Sequence, residues 1–312
     1  MISIIIPAFN EEKNLVELHQ RLSAVLSKLS TQSFEILFID DASTDNTPDI
    51  LKGLCQKDKR VSFIRFARNG GSHAALSCGL HACRGDAAIV LAADLQDPPE
   101  IINDMLRAWK DGAKIVWGVR SKREGEGILT KICSQFYYRL INSLTNVKLP
   151  PMGADVFLAD RVVIDRFREV KEKHTSVFMV LAWLGFKQAT FQYVKQSRHA
   201  GVSKGTLRKK FKLAIDSVLS FSDVPVRAIS WEGVLVALSG VLYALSILWS
   251  YGNSRFVERW SVVIVIILFV GGAQMIMLGI LGEYLWRAFD ESRGRPRYVI
   301  EYKYPSEERS SL

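Results

Sequence analysis

Short apolar runs alternate with amphipathic stretches through residues 1–120. The apolar runs are rich in β-branched side chains, and the stretches between them have the 3.6-residue period of a helix. The predicted strands are residues 3–7, 35–39, 61–65, 87–92 and 114–118, and the predicted helices are 14–29, 47–57, 72–83 and 99–109. Continuous apolar strands joined by helices indicate a mainly parallel sheet covered on both faces. The predicted fold class is therefore α/β.

Polar and acidic residues stand directly after three of these predicted strands. Asn10 and Glu11 follow the first strand, Asp40 and Asp41 the second, and Asp94 the fourth. Ligands of open parallel sheets bind outside the carboxyl ends of the strands. The carboxyl edge of the sheet is therefore the predicted site.

Asp40 and Asp41 can accept hydrogen bonds from a base N–H or from ribose hydroxyls. Acids in such a run are equally suited to form a turn or to cap the next helix, and Ser43 to Asp45 are predicted to do that. Both interpretations of this pair stay open at the level of sequence.

Asp94 gives a clearer indication of chemistry, because it directly follows a buried apolar strand. A divalent cation that bridges two phosphates would bind at such a strand end, and Mg²⁺ or Mn²⁺ suits oxygen ligands. Asp97 precedes two prolines and can equally be read as the cap of the following helix. The metal is therefore assigned to Asp94 and Gln96.

The chain changes character after residue 200. Basic and apolar positions interleave over 201–221, which indicates an amphipathic helix in a membrane interface, with an ordinary surface helix as the alternative. Residues 233–254 and 260–282 are uncharged for about the length that crosses a bilayer, roughly 20 residues. They predict two transmembrane helices, with a buried core hairpin as the alternative.

Basic residues lie before the first predicted span and after the second, whereas the segment between them is short. By the positive-inside tendency, the chain is predicted to be an integral membrane protein whose N-terminal domain and both termini are cytoplasmic. The predicted organisation is an α/β domain at 1–200, amphipathic interface helices at 201–228, two transmembrane helices at 229–287 and a cytoplasmic tail at 288–312. Glycines in the spans would permit homo-oligomers through close helix packing; they are Gly271, Gly272, Gly279 and Gly282.

The net charge of +9 would suit a nucleic acid as partner. The hydrophobic fraction of 48% and the position of the late basic residues beside apolar runs favour a membrane surface instead. Nucleic-acid binding is therefore not expected. The four cysteines have neither metal-ligand spacing nor the density of a disulfide scaffold, and are predicted to be reduced thiols.

Four segments in this order resemble motifs of family 2 glycosyltransferases of the GT-A fold. They are residues 7–12 (PAFNEE), 40–43 (DDAS), 94–99 (DLQDPP) and 198–204 (RHAGVSK). With two C-terminal spans, the chain is similar to polyprenyl-phosphate glycosyltransferases of the GtrB type, which are related to dolichyl-phosphate mannose synthase. This resemblance covers nearly the whole chain.

The resemblance implies roles for individual residues. Asp40 would read the base, Arg120 would meet the diphosphate, and the full set that binds the nucleotide-sugar would be Pro7, Phe9, Glu11, Asp40, Asp41, Gln96 and Arg120. The residues implied in catalysis are Asp94 at the metal, Asp155 in the acceptor-side segment 153–158, and Arg198 with Lys204, which would close over the diphosphate.

The activity that the resemblance implies is inverting transfer of glucose from UDP-glucose to polyprenyl (undecaprenyl) phosphate, with Mg²⁺ or Mn²⁺. A mannose synthase that uses GDP-mannose is the alternative among close functions. A processive polysaccharide synthase would need more spans, and a catalytically inactive nucleotide-sugar-binding membrane scaffold is the alternative from another class.

Two positions depart from the family pattern. Ala92 replaces the first carboxylate of the metal motif, and Phe157 stands where an arginine is common. Weaker metal binding is expected, completed by Gln96 and by the phosphates of the substrate, since Mg²⁺ keeps several ligands from outside the protein.

A fragment that ends at Val226 retains every residue assigned to the nucleotide. On sequence alone, such a fragment is expected to bind UDP-sugar without the spans.

Overall fold

The computed structural model describes residues 1–29, 32–120, 154, 156–170, 172, 176–196, 235, 238, 239, 242 and 259–305. The chain divides into two units. Unit 1 comprises Met1–Ser217 and Pro296–Leu312, and unit 2 comprises Val218–Arg295.

Within the described residues of unit 1, eight strands form one sheet in the order β7-β5-β6-β4-β1-β2-β3-β8. The strands are β1 (Ile2–Ala8), β2 (Phe34–Asp40), β3 (Val61–Phe66), β4 (Ala87–Val90), β5 (Ile115–Arg120), β6 (Val156–Asp160), β7 (Gln188–Tyr193) and β8 (Ile300–Tyr304). The helices are α1 (Leu15–Ser27), α2 (Thr47–Lys57), α3 (Ser72–Ala82), a 3₁₀ turn (Pro99–Ile101), α4 (Ile102–Lys110), α5 (Arg161–Glu169) and α6 (Val177–Trp183).

The directions of the strands decide where the site can form. Strand β1 is parallel to both β2 and β4, and β2 is parallel to β3. Strand β6 is antiparallel to both β4 and β5, and β7 is parallel to β5. Strands β1 to β5 and β7 therefore all end at one edge. This mainly parallel sheet confirms the predicted α/β fold of the GT-A type.

The apolar runs that predicted the central strands form the core. All seven residues of β2 are buried, as are Ile4, Ile5 and Ile6 of β1. Helix α1 buries Leu18, Leu22 and Leu26 on one face at the spacing of an amphipathic helix. Covering both faces of the central strands removes these side chains from water, which explains why the strands contain uninterrupted apolar runs.

The C-terminal strand was not predicted. Residues 288–312 were expected to form a tail, but β8 pairs antiparallel with β3 and forms the edge of the sheet. Tyr302 meets Phe63 edge to face at 5.7 Å between ring centroids, and Tyr298 stacks on Phe66 at 5.1 Å. These contacts bury part of β3 that would otherwise face water. The chain therefore returns to the sheet of unit 1 after unit 2.

Unit 2 contains the long helix α7 (Arg259–Ser292). Among the described residues, this is the one helix whose length and composition would let it cross a membrane, over Phe269–Ser292. Apolar side chains such as Met275, Leu278 and Leu285 are exposed along it. Nearly all of the predicted first span, 233–254, and all of the amphipathic segment, 201–228, lie outside the described residues. The pair of spans stays a prediction, as does assembly through the glycines of the predicted second span.

Two glycines in helices allow a matched test of the packing. An ideal Cβ on Gly79 of α3 would lie 2.3 Å from Cγ2 of Ile5, whereas a Cβ on Gly53 of α2 would meet nothing within 4 Å. We expect Gly79→Ala to destabilise the fold by about 1–3 kcal/mol through overpacking. We expect Gly53→Ala to stabilise it by about 0.5–1 kcal/mol, because alanine restricts the unfolded chain and favours the helix.

The measurement is the midpoint of thermal unfolding of both variants and the wild type. The two substitutions should shift it in opposite directions, and a shift in the same direction would contradict the packing of α3 on β1.

Candidate active site

Residues that carry charge or hydrogen-bonding groups emerge at the carboxyl edge of the sheet. The structure places Phe9 and Glu11 after β1, Asp41 after β2 and Asp94 after β4, and Arg120 ends β5. Pro7 lies in β1 itself and pairs with Ile39 of β2. Ile39 is one residue before the end of β2 at Asp40. The sheet therefore brings the described part of the predicted site to one edge.

The loops after β1 and β2 interlock through hydrogen bonds. The backbone N–H of Asn10 donates to Ser43 Oγ at 2.9 Å, and the N–H of Glu11 donates to Thr47 Oγ1 at 2.9 Å. In the reverse direction, the N–H of Thr44 donates to Asn10 Oδ1 at 2.8 Å. Asn10 has a φ of +54°, a conformation that asparagine adopts more readily than most residues. The two loops therefore form one platform.

Asp41 is buried, with 4% of its surface exposed. Its carboxylate accepts hydrogen bonds from the backbone N–H groups of Gly70 and Gly71, at 2.6 and 2.9 Å. Gly71 has a φ of +83°, which a side chain would make unfavourable. The Asn69 amide also donates to the Asp41 carbonyl at 3.2 Å. The carboxylate of Asp41 therefore organises the loop that starts α3.

Asp40 is completely buried and forms an ion pair with Arg65 of β3. The other carboxylate oxygen of Asp40 accepts a hydrogen bond from the backbone N–H of Ser43 at 3.0 Å. Arg65 donates in addition to the Ser43 carbonyl at 3.0 Å and to Glu301 of β8 at 2.8 Å. Both oxygens of Asp40 thus have partners within the protein, and base recognition by this residue stays a prediction.

The loop after β4 contains two acids in different surroundings. Asp94 Oδ1 accepts a hydrogen bond from the Gln96 N–H at 3.2 Å, and Leu95 between them has a φ of +60°. Asp97 is 1% exposed; it accepts a hydrogen bond from the Tyr193 hydroxyl at 2.5 Å and forms an ion pair with Lys195 at 3.7 Å. Asp97 therefore ties this loop to the end of β7.

The pKa of the Tyr193 phenol is shifted by burial and by the charged groups around it. Burial raises the pKa of its phenol, and the charge of Asp97 and the hydrogen bond to it raise the pKa further. Arg120 lowers this pKa and Asp94 raises it. The cationic end of β5 and the acids of the 94–97 loop are thus near enough to Tyr193 to act on the same group.

The chain after β7 is fixed to the same loop. The N–H of Gln196 donates to the Gln96 carbonyl at 2.9 Å, and its side-chain oxygen accepts from Arg21 at 3.2 Å. Sequence reasoning missed Tyr193, Lys195 and Gln196 because it did not predict β7. Exposed and half-buried residues alternate along β7, as polar and apolar residues do in its sequence. Recognising this strand would have placed Tyr193, Lys195 and Gln196 at the carboxyl edge of the sheet.

Phe157, the departure from the family pattern in β6, is fully buried. Its ring lies 5.9 Å from that of Trp117 and 5.4 Å from that of Phe178, both edge to face. An arginine here would place a charge in an apolar cluster. Ala92, the other departure, is half-buried between the end of β4 and Asp94.

Three predicted catalytic residues, Asp155, Arg198 and Lys204, lie outside the described residues. Their neighbours along the chain are described: β6 begins at Val156, which pairs with Gly118 of β5. Strand β6 thus begins at the edge where β5 ends.

Among the described residues, no group of three or more His, Cys, Asp or Glu side chains is arranged to hold a metal ion. One strand-end carboxylate, Asp94, and the amide of Gln96 two residues later are oxygen donors that suit a hard cation whose other ligands are phosphate oxygens and water. This donor set suits Mg²⁺ or Mn²⁺ that arrives with a diphosphate.

A parallel sheet with acidic loops and a cationic strand end at its carboxyl edge is the arrangement expected of a glycosyltransferase of the GT-A type. Residues 3–167 match the model of glycosyl transferase family 2. The chain belongs to this family.

Similar proteins extend over nearly the whole chain. An uncharacterised glycosyltransferase, YkcC, of Bacillus subtilis is 37% identical over 97% of this chain and 94% of its own length. The bactoprenol glucosyl transferase of Shigella phage SfV is 34% identical over 96% of this chain and 98% of its own length. Among solved structures, glucosyl-3-phosphoglycerate synthase from Mycobacterium tuberculosis, in complex with Mn²⁺, UDP and phosphoglyceric acid, has a TM-score of 0.49 at 16% identity, covering 70% of this chain and 76% of that one.

The bond between Tyr193 and Asp97 can be tested by removing one oxygen. Tyr193→Phe would leave the buried Asp97 carboxylate without that donor, so we expect a loss of about 1–3 kcal/mol in stability. The thermal midpoint should fall by a few degrees. Tyr302→Phe, at a half-buried phenol of β8, is the matched control and should change the midpoint less. Equal midpoints for Tyr193→Phe and wild type would show that the bond does not hold the loop.

Proposed function

We propose that this protein transfers glucose from UDP-glucose to a polyprenyl phosphate at the cytoplasmic face of a membrane, with inversion at the anomeric carbon. Family membership supports sugar transfer. The observation that carries the acceptor and the sugar is similarity at 34% identity, over 96% of the chain, to proteins named bactoprenol glucosyl transferase, since bactoprenol is a polyprenol.

The second unit supports a membrane location. Exposed apolar side chains along α7, such as Phe269 and Leu278, would be unfavourable in water over so long a helix and are typical of contact with lipid. We propose that α7 is the second of two spans, that the first is 233–254, and that the basic segment 201–221 lies in the interface. An acceptor with a lipid tail and a phosphate head would meet the protein at that interface.

The donor leaves as a nucleoside diphosphate, so stabilising its negative charge is the main chemical task. We assign Mg²⁺ or Mn²⁺ to Asp94 and Gln96, where the ion would neutralise charge on the diphosphate. Arg120 supplies a positive charge at the end of β5, the parallel strand on the far side of β6 from β4. The platform made by the loops after β1 and β2 would carry the nucleoside, with Pro7, Phe9 and Glu11 beside it.

The described contacts of Gln196 support the proposed role of Arg198. Gln196 is bonded to the backbone of Gln96, and Arg198 follows two positions later. Two residues of extended chain span at most about 7 Å, at ~3.3–3.6 Å per residue. The chain is therefore bonded to the proposed metal loop two residues before Arg198, which supports the proposal that Arg198 closes over the diphosphate together with Lys204.

The acceptor needs little activation. A phosphomonoester has a second pKa of roughly 6 and is largely ionised at neutral pH. An in-line attack on C1 then depends on positioning more than on proton removal. We propose that Asp155, next to the start of β6, orients the acceptor or excludes other groups and is not indispensable as a base.

Two alternatives make different demands. A mannosyltransferase would prefer GDP-mannose, and a panel of nucleotide-sugars distinguishes it directly. An inactive scaffold would bind nucleotide without transferring sugar; Asp94, Gln96 and Arg120 at one edge favour an active enzyme over it.

The decisive experiment is transfer of labelled glucose from UDP-glucose into the organic phase by the purified full-length protein with undecaprenyl phosphate. We expect Asp94→Asn to lower turnover by about 10²–10³-fold, the scale seen when one electrostatic stabiliser of a transition state is removed. Asp104→Asn, at an exposed acid of α4, is the matched control and should retain activity. EDTA should abolish transfer, and Mg²⁺ or Mn²⁺ should restore it.

Activity of Asp94→Asn equal to wild type at saturating Mg²⁺ would refute the metal assignment. Transfer from GDP-mannose in preference to UDP-glucose would refute the proposed donor. UDP binding by the wild type without any transfer would favour the scaffold.

Arg198→Ala and Lys204→Ala should lower kcat more than they raise the KM for UDP-glucose, because groups that act on developing charge matter most in the transition state. Arg166→Ala, at an exposed arginine of α5, serves as the control. Steady-state kinetics over a range of donor concentrations separates the two constants. If only the KM rises, both residues bind the donor in its ground state.

A further inference from the structure

We propose that Glu301, on strand β8, is a positioning residue of the donor site that acts through Arg65 on Asp40. This inference rests on the proposed function, in which the platform made by the loops after β1 and β2 carries the nucleoside; Asp40 and Arg65 both bond Ser43 of that platform. It makes the segment after the long helix α7 a part of the donor site, although that segment was expected to be a tail.

The guanidinium of Arg65 has all three nitrogens engaged. Nη1 pairs with Asp40, Nη2 donates to the Ser43 carbonyl at 3.0 Å, and Nε donates to Glu301 at 2.8 Å. A planar fork held at three points has a fixed orientation. Asp40, which is fully buried, therefore depends on Arg65 for its position, and Arg65 depends in part on Glu301.

Asp40, Arg65 and Glu301 differ in burial and therefore contribute differently to the site. The Asp40 side chain is 0% exposed, that of Arg65 is 19% exposed and that of Glu301 is 49% exposed. A buried carboxylate needs a paired cation, so Arg65 is required for the stability of the site. A half-exposed carboxylate such as Glu301 adds little stability. Its contribution is to fix the direction of the guanidinium.

An irregularity in the sheet directs Glu301 to this contact. Arg65 pairs with Tyr302, but the next residue, Phe66, pairs with Ile300, so Glu301 is the extra residue of a bulge. A β-bulge changes the direction of a side chain relative to a regular strand and often occurs beside active sites. The bulge therefore places the Glu301 carboxylate against Arg65.

Strand β8 and the residues just before it have other contacts that do not involve Glu301. Tyr298 stacks on Phe66, and the rings of Tyr302 and Tyr304 lie 5.7 and 5.8 Å from that of Phe63. A substitution that removes only the carboxylate charge of Glu301 should therefore leave the strand in place.

The contacts of β8 change the donor affinity that we expect of the fragment that ends at Val226. It retains the predicted nucleotide residues but lacks the whole of β8, and with it Glu301 and the aromatic cover of Phe63 and Phe66. We infer that this fragment binds the donor more weakly than the full chain, in contrast to the expectation from sequence.

The test uses Glu301→Gln in the full-length protein, with Lys303→Gln on the same strand as the matched control. The KM for UDP-glucose should be roughly 5–10-fold higher in Glu301→Gln than in the wild type, which is a loss of affinity of about tenfold at most. The kcat should stay within about 2-fold, because the proposed effect is on ground-state binding of the base. Lys303→Gln should match the wild type in both constants.

Inhibition by two ligands locates the effect. UDP should inhibit Glu301→Gln more weakly, by the same factor as the KM rises, whereas pyrophosphate with Mg²⁺, which has no base, should inhibit it and the wild type equally. Glu301→Asp should recover part of the affinity for UDP. Thermal midpoints of the two Gln variants should agree within a few degrees.

Each other outcome overturns the inference. An unchanged KM in Glu301→Gln shows that Glu301 does not position the site. Equal weakening of UDP and pyrophosphate, or no recovery in Glu301→Asp together with a lowered midpoint, shows a general structural role. A wild-type protein that does not bind UDP refutes the proposed function itself, and is distinguished from the other results because it appears before any substitution.

Discussion

The shared direction of the central strands is the constraint on which the rest of the structure depends. Strands β1, β2, β3 and β4 are parallel, and most of their residues are buried apolar side chains. Side chains that can reach a ligand lie mainly where the strands end, and parallel strands end together. Asp40, Asp94 and Arg120, which are far apart in sequence, therefore meet at one edge.

Buried acids organise the loops at this edge. Asp40, Asp41 and Asp97 are at most 4% exposed, and each uses its carboxylate on partners within the protein. They fix the loops after β2, before α3 and after β4, because a buried carboxylate is stable only when it is bonded. Asp94 is also buried and accepts a hydrogen bond from the Gln96 N–H, so it belongs to the same set of bonded loops. The edge is thus organised by the protein's own hydrogen bonds, and preorganised groups are what stabilising a leaving group requires.

Sequence reasoning was strong for the strands of the first 120 residues and weak for the later ones. Strands β1 to β5 were predicted because their runs are mostly apolar, whereas β6, which lies between β4 and β5, and the edge strands β7 and β8 were missed. An edge strand alternates between exposed and half-buried positions, as β7 does, and its pattern in one sequence resembles a loop. The ion pairs around Asp40 could not be predicted from the local sequence either. Arg65 lies 25 residues from Asp40, and Glu301 lies 236 residues from Arg65. No local pattern contains pairings of that length.

The order of the chain gives the late strand a further consequence. Unit 2, Val218–Arg295, is inserted between the two parts of unit 1, so β8 is made only after α7 has been synthesised. Until then β3 is an open edge, with Phe63 and Phe66 lacking the tyrosines that cover them and Arg65 lacking Glu301. Synthesis proceeds from the N-terminus, and domains generally fold as units. The sheet of unit 1 therefore cannot be completed by β8 until the long apolar helix α7 of unit 2 has been synthesised.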